Sequence, residues 1–308
     1  MKLLRKSSKN NTDTAGYIYT NTRVKALKAK LLKKDEFQKF LKMSAAEIAR
    51  YLQETEYKKE INELSVRFGG TNLIEYALNK NMENVLSRIL GFALRGAKSQ
   101  IRLYLKRYDA ANVKTILRGK FSKASDSRVK NELIAAGEFS QQFLENVIKK
   151  SNTTADVIEY FRHTNYYPVL KKYITDLTKL EDELDKFYYE DVLINAEKEL
   201  EDYIRTEIFV KNTLNRLRAK KSNIKVEIIP GERKMKVPYS EDSVETRVYM
   251  KKLLIEKAIR MVHEVKRNIR PVLGYIITKE NEVSNIRILT RGRHSGLKED
   301  TIQKQLVI

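Results

Sequence analysis

NVKTILRGK at Asn112–Lys120, NTLNRLRAK at Asn212–Lys220 and NIRILTRGR at Asn285–Arg293 are three versions of one phrase. Each opens on Asn, passes through several apolar positions, reaches Arg six residues later, and ends on a small residue followed by Lys or Arg. The first and third stay in step without a gap from Asn112 to Ala135 and from Asn285 to Ile308, a constant offset of 173 that pairs Ser122 with Ser295, Val129 with Ile302 and Leu133 with Leu306. Such self-similarity reports a repeated structural unit, because each residue type answers the same local need in every copy.

A second correspondence has an offset of 109. Ser44-x-x-Glu47 and Thr153-x-x-Asp156 both read as capping boxes at helix starts, and the same offset pairs Ile48 with Val157, Tyr51 with Tyr160, Thr55 with Thr164 and Tyr57 with Tyr166. Between these markers apolar residues recur at steps of three and four, through Val85, Leu86, Ile89, Leu90, Ala93 and Leu94, and through Phe139, Phe143, Leu144, Val147 and Ile148. A longer series runs from Leu170 through Tyr173, Ile174, Leu177, Leu180, Leu184 and Phe187 to Tyr188. Only Lys225–Tyr239 alternates like a strand, and its central Pro and Gly make it a linker or at most a short hairpin. The expected fold is all-α, in three helical repeat units at 1–120, 121–222 and, with the linker, 223–308.

Composition agrees. In 308 residues there are 11 Gly and 4 Pro, and the first proline is Pro168, which leaves room for long helices. The absence of Cys excludes disulfides, thiolate catalysis and cysteine zinc sites, and points to a reducing, cytosolic setting. The start MKLLRKSSKNN is basic without an apolar stretch behind it, so it does not read as a signal peptide. The longest run free of Asp, Glu, Lys and Arg is nine residues, Thr14–Thr22, too short to span a bilayer. A net charge of +21 calls for an acidic partner, yet Asp176–Asp202 holds 11 acidic residues against three lysines; such opposed patches suit a protein lying between two different partners, and the alternative is that both are solvated helix faces.

Catalytic motifs are absent. Gly91-x4-Gly96-Ala97-Lys98-Ser99 has one residue too many before the lysine of a phosphate loop, and it lies in a helical pattern. Gly69-Gly70 reads as a turn between helices. His163, His263 and His294 stand far apart, so no metal and no cofactor is assigned. The repeated Arg118, Arg218 and Arg291, with Lys114 and Arg287 a helical turn earlier in two copies, are candidates for clamping carboxylates on a partner. A structural role within each repeat, such as holding helix-end carbonyls, accounts for them equally well. Asn112, Asn212, Asn285, Thr55 and Thr164 define the repeats structurally.

The sequence resembles the C subunit of the archaeal and bacterial V/A-type rotary ATPases, equivalent to the d subunit of eukaryotic V-ATPases. The resemblance rests on YIYTNTRVKALKAKLL (Tyr17–Leu32), LEDELDKFYYEDVL (Leu180–Leu193), NVKTILRGK, and GYIITKENEVSNIRILTRGRHSGLKEDTI (Gly274–Ile302) with its Glu282-x-x-Asn285-Ile286-Arg287 centre. It implies three pseudo-symmetric helical domains in a funnel-like shape. It also implies a non-catalytic rotor subunit on the cytoplasmic face of the membrane, coupling the central-stalk subunits to the proteolipid ring during ATP synthesis and ion transport. No nucleic acid is then expected. The second repeat departs from the pattern, since Ala219 replaces glycine and the match ends after Lys221, and the first eleven residues look like an added basic tail. The alternative reading is a basic helical RNA-binding protein, supported by the charge and 17 tyrosines and opposed by the acidic segment.

Overall fold

The computed structural model describes residues 14–172, 176–223, 227–235 and 243–308, and among them the chain forms fifteen helices and no strand. It begins with α1 (Thr14–Lys28), α2 (Lys34–Phe40), α3 (Ala45–Leu52), α4 (Lys58–Ser65) and the long α5 (Gly70–Phe92), which leads into the longer α6 (Arg95–Phe121). The series then recurs as α7 (Asp126–Glu132), α8 (Gln141–Lys150), α9 (Thr154–Tyr160), α10 (Tyr167–Lys172) and α11 (Leu177–Asn195), leading into α12 (Lys198–Ser222). It closes with α13 (Ser243–His263), α14 (Arg270–His294) and α15 (Glu299–Gln303). The fold is all-α, as the periodicity predicts.

Local chemistry sets the helix starts. Ser44 N donates to Glu47 Oε2 at 2.7 Å while Ser44 Oγ accepts from Glu47 N at 3.3 Å, and Thr153 and Asp156 repeat the pair at 2.9 and 3.2 Å. Eleven residues after each cap the same turn recurs: Thr55 Oγ1 donates to Leu52 O at 2.7 Å and accepts from Tyr57 N, and Thr164 Oγ1 donates to Phe161 O at 2.8 Å and accepts from Tyr166 N. Pro168 and Pro271 each stand second in a helix, where no intrahelical bond needs their missing N–H. The Leu170–Tyr188 series is not one helix: α10 ends at Lys172, and Asp176 caps α11 by accepting from Lys179 N at 3.0 Å. Tyr173 and Ile174 lie outside the described residues. In the linker, residues 227–235 form no strand but turn at Pro230 and Gly231, where Gly231 adopts φ +89°; residues 225–226 and 236–239 lie outside the described residues.

The repeated asparagines all do one thing. Each is buried on a long helix and uses both ends of its amide to hold the backbone of the returning chain. Asn112 Nδ2 donates to Ile134 O at 2.8 Å and Asn112 Oδ1 accepts from Ile134 N at 3.0 Å. Asn285 holds Val307 at 2.7 and 3.3 Å, and Asn212 holds Ile229 at 2.8 and 3.0 Å.

Three helix hairpins, α5/α6, α11/α12 and α13/α14, make up the body. α6 packs along α11, α12 along α13, and α14 along α5, so the last long helix returns to the first third of the chain. Where the hairpins meet, Arg107, Glu207 and Glu280 come together, each five residues before its repeat's asparagine. Arg107 Nη2 donates to Glu207 Oε1 at 2.6 Å, Tyr108 Oη donates to Glu280 Oε1 at 2.8 Å, and the rings of Tyr104 and Tyr203 meet edge to face at 6.4 Å.

At the opposite extreme from the helix ends that carry the repeated arginines, α1 lies across all three hairpin corners. Its Tyr17 Oη donates to Glu197 Oε2 at 2.7 Å at the α11/α12 corner, Arg23 covers the Phe92 ring at the α5/α6 corner, and Asn21 Nδ2 donates to Lys266 O and Asn268 O at the α13/α14 corner. The α13/α14 hairpin is the tightest because Gly274 admits the α13 backbone: a Cβ there would lie 2.5 Å from Val262 N and 2.6 Å from Ala258 O. Backbone cannot swing aside as a side chain can. Gly274→Ala is expected to lower stability by about 2–3 kcal/mol, read as a drop in the chemical-denaturation midpoint with an unchanged slope.

Candidate functional site

The candidate arginines meet carboxylates of their own chain. Arg118 on α6 forks onto both oxygens of Glu181 on α11, with Nε donating to Oε1 at 2.5 Å. Arg291 on α14 makes the same fork onto Glu75 on α5, with Nη2 donating to Oε2 at 2.9 Å. In both cases the bond to the carboxylate holds the guanidinium above its ordinary range. Lys114 and Lys211 share Asp185, and Arg287 reaches Glu75 at 3.3 Å and the Asn79 amide. Burial opposes ionisation of Asp185, yet Lys211 and Lys114 outweigh it and hold its carboxyl below the ordinary range. The acidic run Asp176–Asp202 is therefore not a free face: Glu181, Asp185 and Asp191 tie α11 to α6, the last through Lys106 at 2.9 Å.

Arg218 differs. It is exposed at the end of α12, and no ion pair joins it to another of the described residues. Its neighbour Arg216 pairs with Glu232 at 2.7 Å.

Sequence reasoning missed a buried ionic centre at the junction of the chain ends. Lys279 on α14 is fully buried and donates to Glu56, to Tyr57 Oη at 2.7 Å and to Glu282 Oε1 at 2.6 Å. Tyr57 Oη donates to Glu282 Oε1 at 2.6 Å, and Leu32 N donates to the other Glu282 oxygen at 2.5 Å. Burial raises the Glu56 carboxyl above its ordinary range, with Lys279 the main opposing influence. The signal was available: Lys279-x-x-Glu282 stands 173 residues after Lys106-x-x-Asp109. Asp109 has the equivalent task, accepting from Glu138 N at 2.7 Å and Phe139 N at 3.0 Å.

Burial pushes the Asp109 carboxyl from 3.8 up to about 6, against the two backbone donors. An unfolded chain therefore loses this proton at lower pH than the folded one, and stability contributed here declines as pH rises from about 4 to about 6. Asp109→Asn is expected to flatten that decline, which is worth about 2 kcal/mol, in denaturation midpoints taken across the range.

Other motifs carry no site. Gly69 starts α5 in extended conformation and Gly70 takes φ +57°, a turn between helices. The Gly91–Ser99 stretch runs over the α5/α6 corner, with Ala93 and Leu94 extended between two helices, so its amides do not converge as a phosphate loop's do. Among the described residues no group of three or more His, Asp or Glu could hold a metal ion. His263 lies 2.9 Å from Lys28 Nζ. No described helix is long and apolar enough to cross a membrane.

The chain is 34% identical to the C subunit of A-type ATP synthase from Methanosarcina mazei, with 99% of this chain and 96% of that one aligned. It is 32% identical to the same-named protein of Archaeoglobus fulgidus over 96% and 97% of the two chains, and 31% identical to that of Methanococcoides burtonii over 100% and 99%. The family model described as ATP synthase (C/AC39) subunit matches residues 20–245 and 235–305. Those spans take in all three clamp asparagines, both arginine forks and the buried Lys279 centre; the chain belongs to the ATP synthase (C/AC39) subunit family.

Proposed function

We propose that this chain is a non-catalytic rotor subunit of a V/A-type ATPase, seated on the cytoplasmic face of the membrane between the central-stalk subunits and the proteolipid ring. Membership in the family supports a place in the complex. The observation that carries the coupling role is mechanical: every long helix is tied to a different hairpin, by the Arg118 and Arg291 forks, by the shared Arg107, Glu207 and Glu280 centre, and by Lys257 on α13 reaching Asp202 on α12 at 2.8 Å. A body that passes torque must not shear, and packed helices with closed hydrogen-bond ladders, tied to one another by ion pairs, resist shear. On this reading the units at 1–120, 121–222 and 223–308 form a funnel-like, pseudo-threefold body. Arg118, Arg291, Lys114 and Arg287 stiffen its seams, and Arg218 is the candidate to meet a partner's carboxylate.

The test is to pull the tagged chain from detergent-solubilised membranes and identify what accompanies it. Ring and stalk subunits of one ATPase are expected, with ATP hydrolysis by the head becoming independent of the ring when the chain is removed. Recovery of RNA in their place, or coupled hydrolysis without the chain, overturns the proposal.

A further inference from the structure

The hairpin-corner end that α1 crosses has an unusual surface. α1 buries Thr20 and Asn21 and turns Ile18 and Tyr19 outward, each 44% exposed. Around it, each hairpin corner exposes a bulky aliphatic residue: Leu94 at 45%, Ile194 at 70% and Val265 at 88%. Because α1 touches all three corners within its 15 residues, these side chains share one end of the molecule, within about 22 Å along the helix. Lone exposed apolar residues are ordinary, but five at one end are a patch.

The charges there are one-sided. Arg23, Lys25, Arg95, Lys198, Lys266 and Arg267 are exposed, and none is ion-paired with another described residue. Of the carboxylates, Glu197, Glu201 and Glu264 are bonded to Tyr17, Arg205 and Arg270, and Glu199 is half-buried. Arg95 takes φ +37°, in the left-handed region that favours glycine.

Apolar side chains interleaved with unpaired cations suit a bilayer interface, where the first enter the headgroup boundary and the second meet anionic lipid. We propose that the hairpin-corner end, with α1 at its centre, is a docking face for an anionic lipid surface. This rests on the coupling reading for the presence of a membrane, and names the face turned towards it.

The test uses the full chain and vesicles of phosphatidylcholine with and without phosphatidylglycerol. Wild type is expected to sediment with the anionic vesicles only, and less as salt rises. Lys266→Gln and Arg95→Gly should each weaken partition about fivefold, and Ile18→Ser with Val265→Ser more. Arg95→Gly should do so with an unchanged or raised thermal midpoint, because glycine relieves the left-handed backbone. That split separates a lost contact from a damaged fold. No binding to anionic vesicles, or variants that bind as wild type does, overturns the inference; if the ATPase subunits still accompany the chain, the coupling reading stands. Variants that keep vesicle binding but lose the proteolipid ring in pull-downs also overturn it, since the face then recognises protein. Vesicle binding lost in the variants, from a chain that recovers no ATPase subunits, upholds the docking face and removes the coupling reading.

Discussion

Lys279→Met is expected to destabilise the protein by about 3–5 kcal/mol, because it strips the ammonium from a site where water cannot replace it. Lys279 is fully buried, and its two carboxylate partners Glu56 and Glu282 are nearly so. Methionine fills the volume of the stem, so the loss reflects charge rather than a cavity. The variant also carries a pH signature. Burial already raises the Glu56 carboxyl, and Lys279 is the main influence opposing it. Without that opposition the folded state holds the Glu56 proton to higher pH than the unfolded chain does, so stability should fall more steeply with rising pH than in wild type. Urea denaturation of both proteins at mildly acid and mildly alkaline pH checks this. A variant with equal deficits at both pH values would place the loss in packing, not in the buried carboxylates.

Asn285→Ala should cost about 2–3 kcal/mol, as should Asn112→Ala. Each removes two hydrogen bonds and leaves the N–H of one residue, Val307 or Ile134, without its acceptor, while the Val307 carbonyl keeps Asn281 Nδ2 and the Ile134 carbonyl keeps Ala136 N. Asn212→Ala should cost as much at Ile229, although the second repeat is the most divergent in sequence. Because the three clamps share no partner, the losses should add within about 0.5 kcal/mol in double variants. Equilibrium unfolding of the three single and three double variants is the measurement. An Asn212→Ala variant as stable as wild type would show that the linker does not depend on its clamp.

What the sequence made legible follows from how local each feature is. The capping boxes at Ser44 and Thr153 and the Thr55 and Thr164 turns depend on neighbours a few residues away, and they stand as read; the helical periods hold within α5, α8 and α11 but run past their ends at Ala93, Leu94 and Phe139. The asparagines could be recognised as structural, but not their partners, because a clamp spanning 22 residues leaves no periodic trace. The break before α11 was hidden because α10 and α11 bury their apolar residues in continuous phase, and Asp176 reads equally well as a surface residue. The Lys279 centre was hidden for a related reason. Charges at i and i+3 within a polar stretch resemble a solvated face until the helix is seen to lie between the two ends of the chain. The arginine forks needed Glu75 and Glu181, which are 216 and 63 residues away in sequence.

The packing of α14 against α5, with Lys279 reaching Glu56 and Glu282 reaching Leu32, has a consequence for biosynthesis. A ribosome releases α2 to α5 long before it makes the helix that covers them. The second hairpin can close on α6 as it emerges, but the apolar side of the first third waits for the last long helix. Long-range closure of this kind is slow and leaves the nascent chain open to wrong associations, so the N-terminal third is the natural client for a chaperone during translation. Moving the chain ends to the Ser122–Ala124 turn, by joining the present termini through a flexible tether, would have α14 made before α5, with only α15 and α1 to α4 between them, and change the order in which the body closes.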